Sequence, residues 1–252
     1  MSKLDCRVAK APRNDGIHSF YDNFQHRHCE SSAAIQIFLL QKMNNPSKIT
    51  EILIASGNKG KLVEIAELLS KIGIKAISAA DFNLEEPEET GNSFEENSII
   101  KAKYYGDKTG LVALADDSGL CVDLLDGKPG IHSARWAIDD NGKKKFDLAF
   151  DRIKQELIAK NIDVKNQIIR ANFICNLTLY FPQTQKTQSF EGRVDGQLTF
   201  PPRGTKGFGF DPIFIADGFD KTFGEMLVED KDKISHRSAA FAKLIASYNN
   251  QL

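Results

Sequence analysis

Two adjacent aspartates, Asp116 and Asp117, follow the apolar run 111–115 and precede Ser118 and Gly119. A short apolar run bounded by glycine predicts a buried strand over 111–117, so both carboxylates are expected at its exit. Because neighbouring side chains of a strand point to opposite faces, only one of the two is expected to face a given site. Carboxylates at the carboxyl end of a strand suit metal binding or proton transfer, whereas an isolated Asp-Asp pair is also typical of a simple turn.

A lysine-containing loop joins the first predicted strand, 49–55, to the first predicted helix, 61–72. Its residues are Ser56, Gly57, Asn58, Lys59, Gly60 and Lys61. The two glycines permit a tight turn that exposes backbone N–H groups, and the helix N-terminus and the lysines add positive charge. These features suit a phosphate cradle, although a glycine-lysine turn by itself is more often only a turn. The loop is not a Walker A motif, because its glycines are too close together and no Ser or Thr follows the second lysine.

An acidic run at 85–89 leads into a helix whose N-terminus is indicated by a capping box of Ser93 and Glu96. Such a run is usually a solvated loop, but next to a helix N-terminus it could supply a second carboxylate to a magnesium ion. Lys101 lies on the same predicted helix. It is either a surface lysine that forms a salt bridge or a positive charge for the same site.

Two later segments carry groups that suit recognition of a base. The loop 204–212 alternates glycines with aromatic residues, and a phenylalanine ring can stack on a flat base, although buried aromatic anchors are an ordinary loop feature. Ser235 is predicted to cap the last helix, which places His236 and Arg237 in its first turn. Cations at that position oppose the helix dipole unless they have an anionic or acceptor partner, so this conflict favours a functional role.

The elements that must position these residues alternate between strand and helix at first and become mostly antiparallel later. The predicted fold class is therefore α/β with a central mixed sheet flanked by helices. Segment 1–48 shows no sustained periodicity and is predicted to be a poorly ordered extension, and 49–252 is predicted to form a single domain. The remaining predicted elements are the strands 74–78, 171–181, 190–198 and 213–216 and the helices 93–107, 143–161 and 235 onwards.

The composition of the 252 residues, 27% of them charged, is ordinary for a globular protein. A net charge of -1 creates no global field that favours nucleic acid or a membrane surface, so neither is an expected partner. The 4 cysteines are far apart, and no secretory signal is present, which suggests reduced thiols in a cytoplasmic protein. No apolar run approaches the ~18 residues of a membrane helix.

In combination and in order, the motifs resemble those of the Ham1-like inosine triphosphate pyrophosphatases, also called non-canonical purine NTP or XTP/dITP diphosphatases. The resemblance covers nearly everything from Ile49 to the C-terminus, and the set of motifs is highly specific. The matching stretches are SGNKGKLVEI, EETGNSFEENSIIKAK, LADDSGLCVDLLDGKPGIHSARWA, RANFICNLTL, FEGRVDG, PPRGTKGFGFDPIF and DKDKISHRSAA.

The resemblance implies an elongated, twisted sheet in two lobes with the active site in the cleft between them. It also implies Mg²⁺-dependent hydrolysis of ITP, dITP or XTP to the monophosphate and pyrophosphate, typically by a homodimer. By position, Asp117 would be the general base and a metal ligand, the second metal ligand would be Glu88 or Glu89, and Asp116 would have a supporting role. The substrate-binding positions would be Ser56, Gly57, Asn58, Lys59, Gly60, Lys61, Lys101, Ser118, Phe208, Gly209, Phe210, Asp211, Lys231, His236 and Arg237.

Two other function classes remain alternatives at this point. One is a non-catalytic module that binds or senses purine nucleotides; the intact Asp117, Lys61 and acidic pair argue against it. The other is a Maf-like pyrophosphatase acting on pyrimidine or modified nucleotides. The Ser-His-Arg start of the last helix and the Phe-Gly-Phe-Asp loop argue against that alternative.

Overall fold

The structure, a computed structural model, describes residues 49–249, so the predicted extension 1–48 and residues 250–252 lie outside the described part of the chain. The strands are β1 (Glu51–Ala55), β2 (Lys75–Ser78), β3 (Ala113–Val122), β4 (Ile169–Phe181), β5 (Lys186–Leu198) and β6 (Phe214–Ala216). The helices are α1 (Lys59–Lys71), α2 (Phe94–Thr109), α3 (Phe146–Ala159), α4 (Val228–Asp232) and α5 (His236–Asn249).

The six strands form a mixed sheet in the order β2-β1-β3-β4-β5-β6. β1 pairs in parallel with β2 and β3, and every pair from β3 to β6 is antiparallel. The parallel part arises from the strand–helix–strand connections through α1 and α2, and the tight turn between β4 and β5 produces the long antiparallel hairpin. The predicted α/β class with a mixed sheet is confirmed.

The strand that carries the two aspartates is longer than the sequence indicated. β3 ends at Val122 rather than at Asp117, so the prediction that both carboxylates lie at a strand exit is wrong. The parallel pairing of β3 with β1 does end at Ala115, but Ser118 and Gly119 continue the antiparallel pairing with β4. Pairing along the 13-residue β4 therefore overrides the local glycine signal. The carboxylates lie in the middle of β3, where the parallel neighbour stops.

The buried apolar residues form clusters on either side of this midpoint. One lobe is built by two clusters that pack α1, α5 and α2 against β1 and the first half of β3. The other lobe is built by a cluster that packs α3 and β6 against the second half of β3, including Leu120 and Val122. The long strands β3 and β4 run through both lobes, so a cleft lies across their middle. None of the described helices is long and apolar enough to cross a membrane.

Candidate active site

A cleft of about 340 Å³ lies between the lobes. Its walls include residues of the lysine loop, the acidic segment, the middle of β3, the glycine-aromatic loop and the start of α5. Lys101 of α2 and Lys231 of α4 also line it. Of the predicted site residues, all but Gly57, Lys59, Gly60 and Glu88 therefore converge on one cleft from seven separate segments of the chain, which no local sequence pattern requires. The cleft also includes residues that the sequence reasoning did not select, such as Glu86, Arg135 and Phe173.

The loop before α1 is held in place by the side chain of one of its residues, Asn58. Asn58 is the N-cap of α1, and its Oδ1 accepts hydrogen bonds from the backbone N–H groups of Gly60 (3.0 Å) and Lys61 (3.3 Å). Gly60 is required for packing, because a Cβ at this position would collide with the ring of Phe208. Ser56, Asn58 and Lys61 line the cleft, whereas Lys59 is exposed and does not.

Asp116 and Asp117 use opposite faces of β3, as the alternation of a strand predicts. Asp116 is completely buried and forms a salt bridge with Lys61 of α1 and with Arg237 of α5, whose Nε lies 2.8 Å from Oδ2. Ser118 Oγ and Cys175 Sγ also donate to this carboxylate. Burial alone would raise the pKa of Asp116, but the charges of Arg237 and Lys61 hold it well below its usual range. Asp116 is therefore an ionised anchor for two cations.

Asp117 faces α2 and is 6% exposed. Its Oδ1 accepts a hydrogen bond from Lys101 Nζ at 2.9 Å, and its Oδ2 accepts one from Asn97 Nδ2 at 3.3 Å. Burial raises the pKa of Asp117 above its usual value, although the charges of Lys101 and Lys61 oppose that shift. Because a carboxylate with a raised pKa is a stronger base than an exposed one, Asp117 is suited to accept a proton from a water molecule in the cleft.

Glu89 lies beside Asp117, and the same lysine contacts both. Lys101 Nζ is 2.6 Å from Glu89 Oε1, while Arg135 Nη2 donates to the backbone carbonyl of Glu89 at 2.9 Å. Burial would raise the pKa of Glu89, but Lys101 lowers it below its usual value. Burial likewise opposes the charge on Lys101, whose pKa is nevertheless raised by Asp117 and Glu89. Of the two candidate acidic positions, Glu89 lines the cleft, and Glu88 is exposed and does not.

These carboxylates fit a magnesium ion. Asp117 and Glu89 both contact the ammonium group of Lys101, so the space between the two carboxylates already holds a positive charge. Residues 49–249 contain no cluster of three or more His, Cys, Asp or Glu side chains that could hold a metal ion. Mg²⁺ is usually bound through one or two carboxylates together with phosphate oxygens and water, so a two-carboxylate site suits it better than it suits Zn²⁺.

The other side of the cleft contains a buried lysine surrounded by acidic and aromatic groups. Lys231 Nζ lies 2.6 Å from Asp211 Oδ2 and 3.0 Å from Glu64 Oε1, and it is 4.9 Å from the centre of the Phe208 ring. The backbone N–H of Phe208 donates to the same Asp211 oxygen at 2.9 Å. Burial raises the pKa of Asp211, against the effect of Lys231. Phe210 also lines the cleft, although it is 4% exposed and packs edge-to-face against Phe146.

α5 begins with His236 and Arg237, the two residues that the sequence indicated. The predicted cap is present, since the backbone N–H of Ser238 donates to Ser235 Oγ at 3.1 Å. The helix lies directly on β5, because a Cβ at Gly192 would collide with the backbone carbonyl of His236. Arg237 is 2% exposed, and its three nitrogens donate to Asp116, Glu64 and Ser118. The acceptor partners that compensate for the helix dipole are therefore carboxylates on β3 and α1.

His236 is buried and neutral. Its ring stacks on Phe173 with a centroid distance of 4.8 Å and an interplanar angle of 11°. Burial and the charges of Arg237 and Lys231 hold its pKa well below the usual range. Its Nδ1 is buried and has no hydrogen-bond partner in the structure. A neutral imidazole with one unsatisfied nitrogen can form a hydrogen bond with a polar group that enters the cleft.

A pH-dependent stability follows from the neutral state of His236. In the unfolded chain the imidazole binds a proton with a pKa of about 6.5, whereas the folded state resists protonation, so stability is lost as pH falls below that value. At pH ~5.5 this residue is expected to cost the native state about 1.4 kcal/mol. Urea denaturation of wild type and His236→Phe between neutral and mildly acidic pH measures this cost. Parallel pH profiles of the two proteins would contradict the assignment.

Two buried site residues were missed by the sequence reasoning, although helical spacing indicates both. Glu64 lies three residues after Lys61 on α1, and it pairs with Lys231 and Arg237. Asn97 lies four residues before Lys101 on α2, and both side chains reach Asp117. Residues three or four apart share a helix face, so a helix that directs one lysine toward the cleft places these neighbours on the same side, where they contact residues of the cleft wall.

The fold and the cleft define an α/β protein whose interlobe site combines lysines with paired carboxylates and aromatic residues. A family model described as the Ham1 family matches residues 52–247. The chain therefore belongs to the Ham1 family. This membership agrees with the family that the sequence motifs indicated.

Individual relatives cover most of the chain. A dITP/XTP pyrophosphatase of Zymomonas mobilis is 50% identical over 196 residues, which are 78% of this chain and 90% of that protein. The dITP/XTP pyrophosphatase of Agrobacterium fabrum is 44% identical over 202 residues, or 77% of this chain and 94% of that protein. Among solved structures, a HAM1 protein from Coxiella burnetii matches with a TM-score of 0.69 and 35% identity over 79% of this chain and 98% of that chain.

Proposed function

We propose that this protein hydrolyses non-canonical purine nucleoside triphosphates, namely dITP, XTP and ITP, to the monophosphate and pyrophosphate. The observation that carries this proposal is the convergence, in one cleft, of Lys61, Lys101 and the Asp117–Glu89 pair on one side with the aromatic, His and Arg groups on the other. A triphosphate and a flat purine base require these two kinds of surface next to each other. The names of the relatives, dITP/XTP pyrophosphatases, support two of these substrates, dITP and XTP.

In the proposed reaction, a water molecule attacks the α-phosphorus of the bound nucleotide. Asp117 orients this water and accepts its proton, and no covalent intermediate with the protein is needed. Lys61 and the loop 56–60 bind the triphosphate, and Lys101 opposes the negative charge that develops on the departing pyrophosphate. The salt bridges of both lysines with Asp116, Asp117 and Glu89 hold their ammonium groups in place before the nucleotide arrives.

We propose Mg²⁺ as the cofactor, held by Asp117 and Glu89. When bound, the ion would neutralise charge on the triphosphate and on the pyrophosphate leaving group. Movement of the Lys101 ammonium group from both carboxylates to phosphate oxygens would leave Asp117 Oδ1 and Glu89 Oε1 available for the ion. Glu88, the alternative metal position, is exposed outside the cleft, which favours Glu89.

The base is proposed to lie beside Phe208 and to be selected through its 6-oxo group. Three of the five N–H donors of Arg237 are used within the protein, which leaves two, and His236 provides a further buried ring nitrogen. An adenine amino group at this position would place donors against donors and leave them unpaired. Discrimination against ATP therefore follows from an unfavourable contact as well as from a favourable one.

His236→Ala is expected to reduce the preference for ITP over ATP, because it removes one of the groups proposed to contact the 6-oxo group. A loss of about 1–3 kcal/mol of discrimination, or roughly fivefold to 150-fold in the ratio of kcat/KM values, is the usual cost of an unpaired polar group. Steady-state kinetics on both nucleotides measure the ratio. Lys243→Ala, an exposed change on the same helix, is the matched control. An unchanged ratio would assign the selection to other groups.

Purified protein with Mg²⁺ and a panel of ITP, dITP, XTP, ATP, GTP, dTTP and UTP tests the proposal, with pyrophosphate as the measured product. We expect pyrophosphate from the three non-canonical purines and little from the others. Binding without turnover would favour the nucleotide-sensing alternative, and preference for pyrimidine nucleotides would favour the Maf-like one. Both alternatives lack support from the relatives.

The homodimer and the cytoplasmic location stay proposals, for which light scattering and fractionation are the direct tests.

A further inference from the structure

Asn97 connects the two acidic segments of the cleft. It is completely buried in the first turns of α2. Its Nδ2 donates to Asp117 Oδ2 at 3.3 Å, and its Oδ1 accepts from the backbone N–H of Gly91 at 2.9 Å. Gly91 is two residues beyond Glu89. One amide group therefore reaches the carboxylate on β3 with one end and the backbone of the acidic segment with the other.

The remaining contacts of the acidic segment do not reach Asp117 in this way. Ser93 Oγ caps α2 by accepting from Glu96 N–H at 3.1 Å, and Glu96 Oε2 accepts from the backbone N–H of Asn92 at 2.6 Å. These bonds attach the segment to the start of α2 but not to β3. Lys101 does contact both acidic groups, but its flexible ammonium is also the group proposed to bind phosphate. Asn97 is the rigid connection between the two sides.

We infer that Asn97 is a positioning residue that sets the orientation of Asp117 and its separation from Glu89, and thereby the affinity of the cleft for a divalent cation. The amide has both partners and is inaccessible to water, so its geometry is fixed before any ligand binds. Mutation of a group that orients metal-binding carboxylates typically lowers metal affinity or activity by about tenfold to 100-fold. This role rests on the proposed function, in which Asp117 and Glu89 hold the ion.

The test compares Asn97→Asp and Asn97→Ala with wild type and with the control Asn92→Asp, an exposed change in the same segment. Asn97→Asp retains an acceptor for Gly91 but loses the donor to Asp117 and adds a repelling charge. Asn97→Ala loses both bonds without adding charge. Circular dichroism and thermal melting establish which variants fold, and Asn97→Ser replaces Asn97→Asp if the buried charge prevents folding.

Binding of Mn²⁺, measured by electron paramagnetic resonance with and without a non-hydrolysable purine triphosphate, is the primary readout. We expect the folded Asn97 variants to bind Mn²⁺ about tenfold to 100-fold more weakly, and Asn92→Asp to bind it like wild type. The affinity of the Asn97 variants for the nucleotide in the presence of EDTA is expected to equal that of wild type. A general structural defect would weaken this metal-free binding as well.

Unchanged Mn²⁺ affinity in folded Asn97 variants would overturn the role of Asn97 while leaving the proposed hydrolysis in place. The absence of Mn²⁺ binding by wild type under both conditions would also overturn it, because no ion would then be positioned. Failure of wild type to release pyrophosphate from any purine triphosphate would instead contradict the proposed function. The two sets of outcomes are therefore distinguishable.

Discussion

Asp117→Asn is expected to lower the turnover of dITP by about 10²-fold or more, the usual scale for the loss of a general base. The asparagine preserves the shape of the side chain, and its Oδ1 still accepts a hydrogen bond from Lys101. The amide can no longer accept a proton from water, and it offers no negative charge to a bound cation. Release of pyrophosphate at saturating dITP and Mg²⁺ measures the loss.

The matched control for this substitution is Asp140→Asn, which changes an exposed aspartate outside the cleft and is expected to leave turnover unchanged. Because Asp117 is buried, the unfolding midpoint of the variant must be measured alongside its kinetics. A folded Asp117→Asn protein with near-normal turnover would remove this residue from the role of general base. Glu89, the other carboxylate in contact with Lys101, would then be the next candidate for the general base.

Arg237→Met is expected to reduce the free energy of unfolding by about 3–5 kcal/mol, because it removes one of the two cations that pair with each of two buried carboxylates. The guanidinium is 2% exposed and contacts both Asp116 and Glu64, which are themselves buried. Burial disfavours the charge on Arg237, but Asp116 and Glu64 raise its pKa, so it carries its charge throughout the accessible pH range. Methionine has a similar length but cannot neutralise either carboxylate.

Urea denaturation at neutral pH measures this loss, with Arg193→Met as the control. Arg193 pairs with Asp195 at 2.7 Å on the surface, where both side chains are about half exposed, so its removal is expected to cost at most about 1 kcal/mol. Equal losses for the two variants would show that the buried network of Asp116, Glu64 and Arg237 contributes no more than a surface pair.

The sequence predicted the fold class and the segments of the site, because local periodicity and motif order carry that information. The alternation of β3 correctly assigned Asp116 and Asp117 to different faces. It did not predict that β3 continues past them, because the pairing that extends the strand comes from β4, a strand far along the chain that pairs Val122 with Ala171 and Ser118 with Cys175.

The charge network could not be predicted from local patterns for the same reason. Arg237 was expected at the base pocket, and it does line the cleft, but its nitrogens are bound by Asp116, Glu64 and Ser118 from two other elements. The choice between Glu88 and Glu89 likewise depends on which side chain faces Lys101 of α2, and the loop has no periodicity that indicates it. Asn97 and Glu64 could have been predicted, since each lies three or four residues from a predicted site lysine on the same helix.

The most direct measurement is the hydrolysis of dITP by wild-type protein in water labelled with heavy oxygen, with the products identified by mass spectrometry. Attack of water on the α-phosphorus is expected to yield labelled dIMP and unlabelled pyrophosphate, with dATP turned over far more slowly. Release of orthophosphate, label in the pyrophosphate, or equal turnover of dITP and dATP would contradict the proposed function.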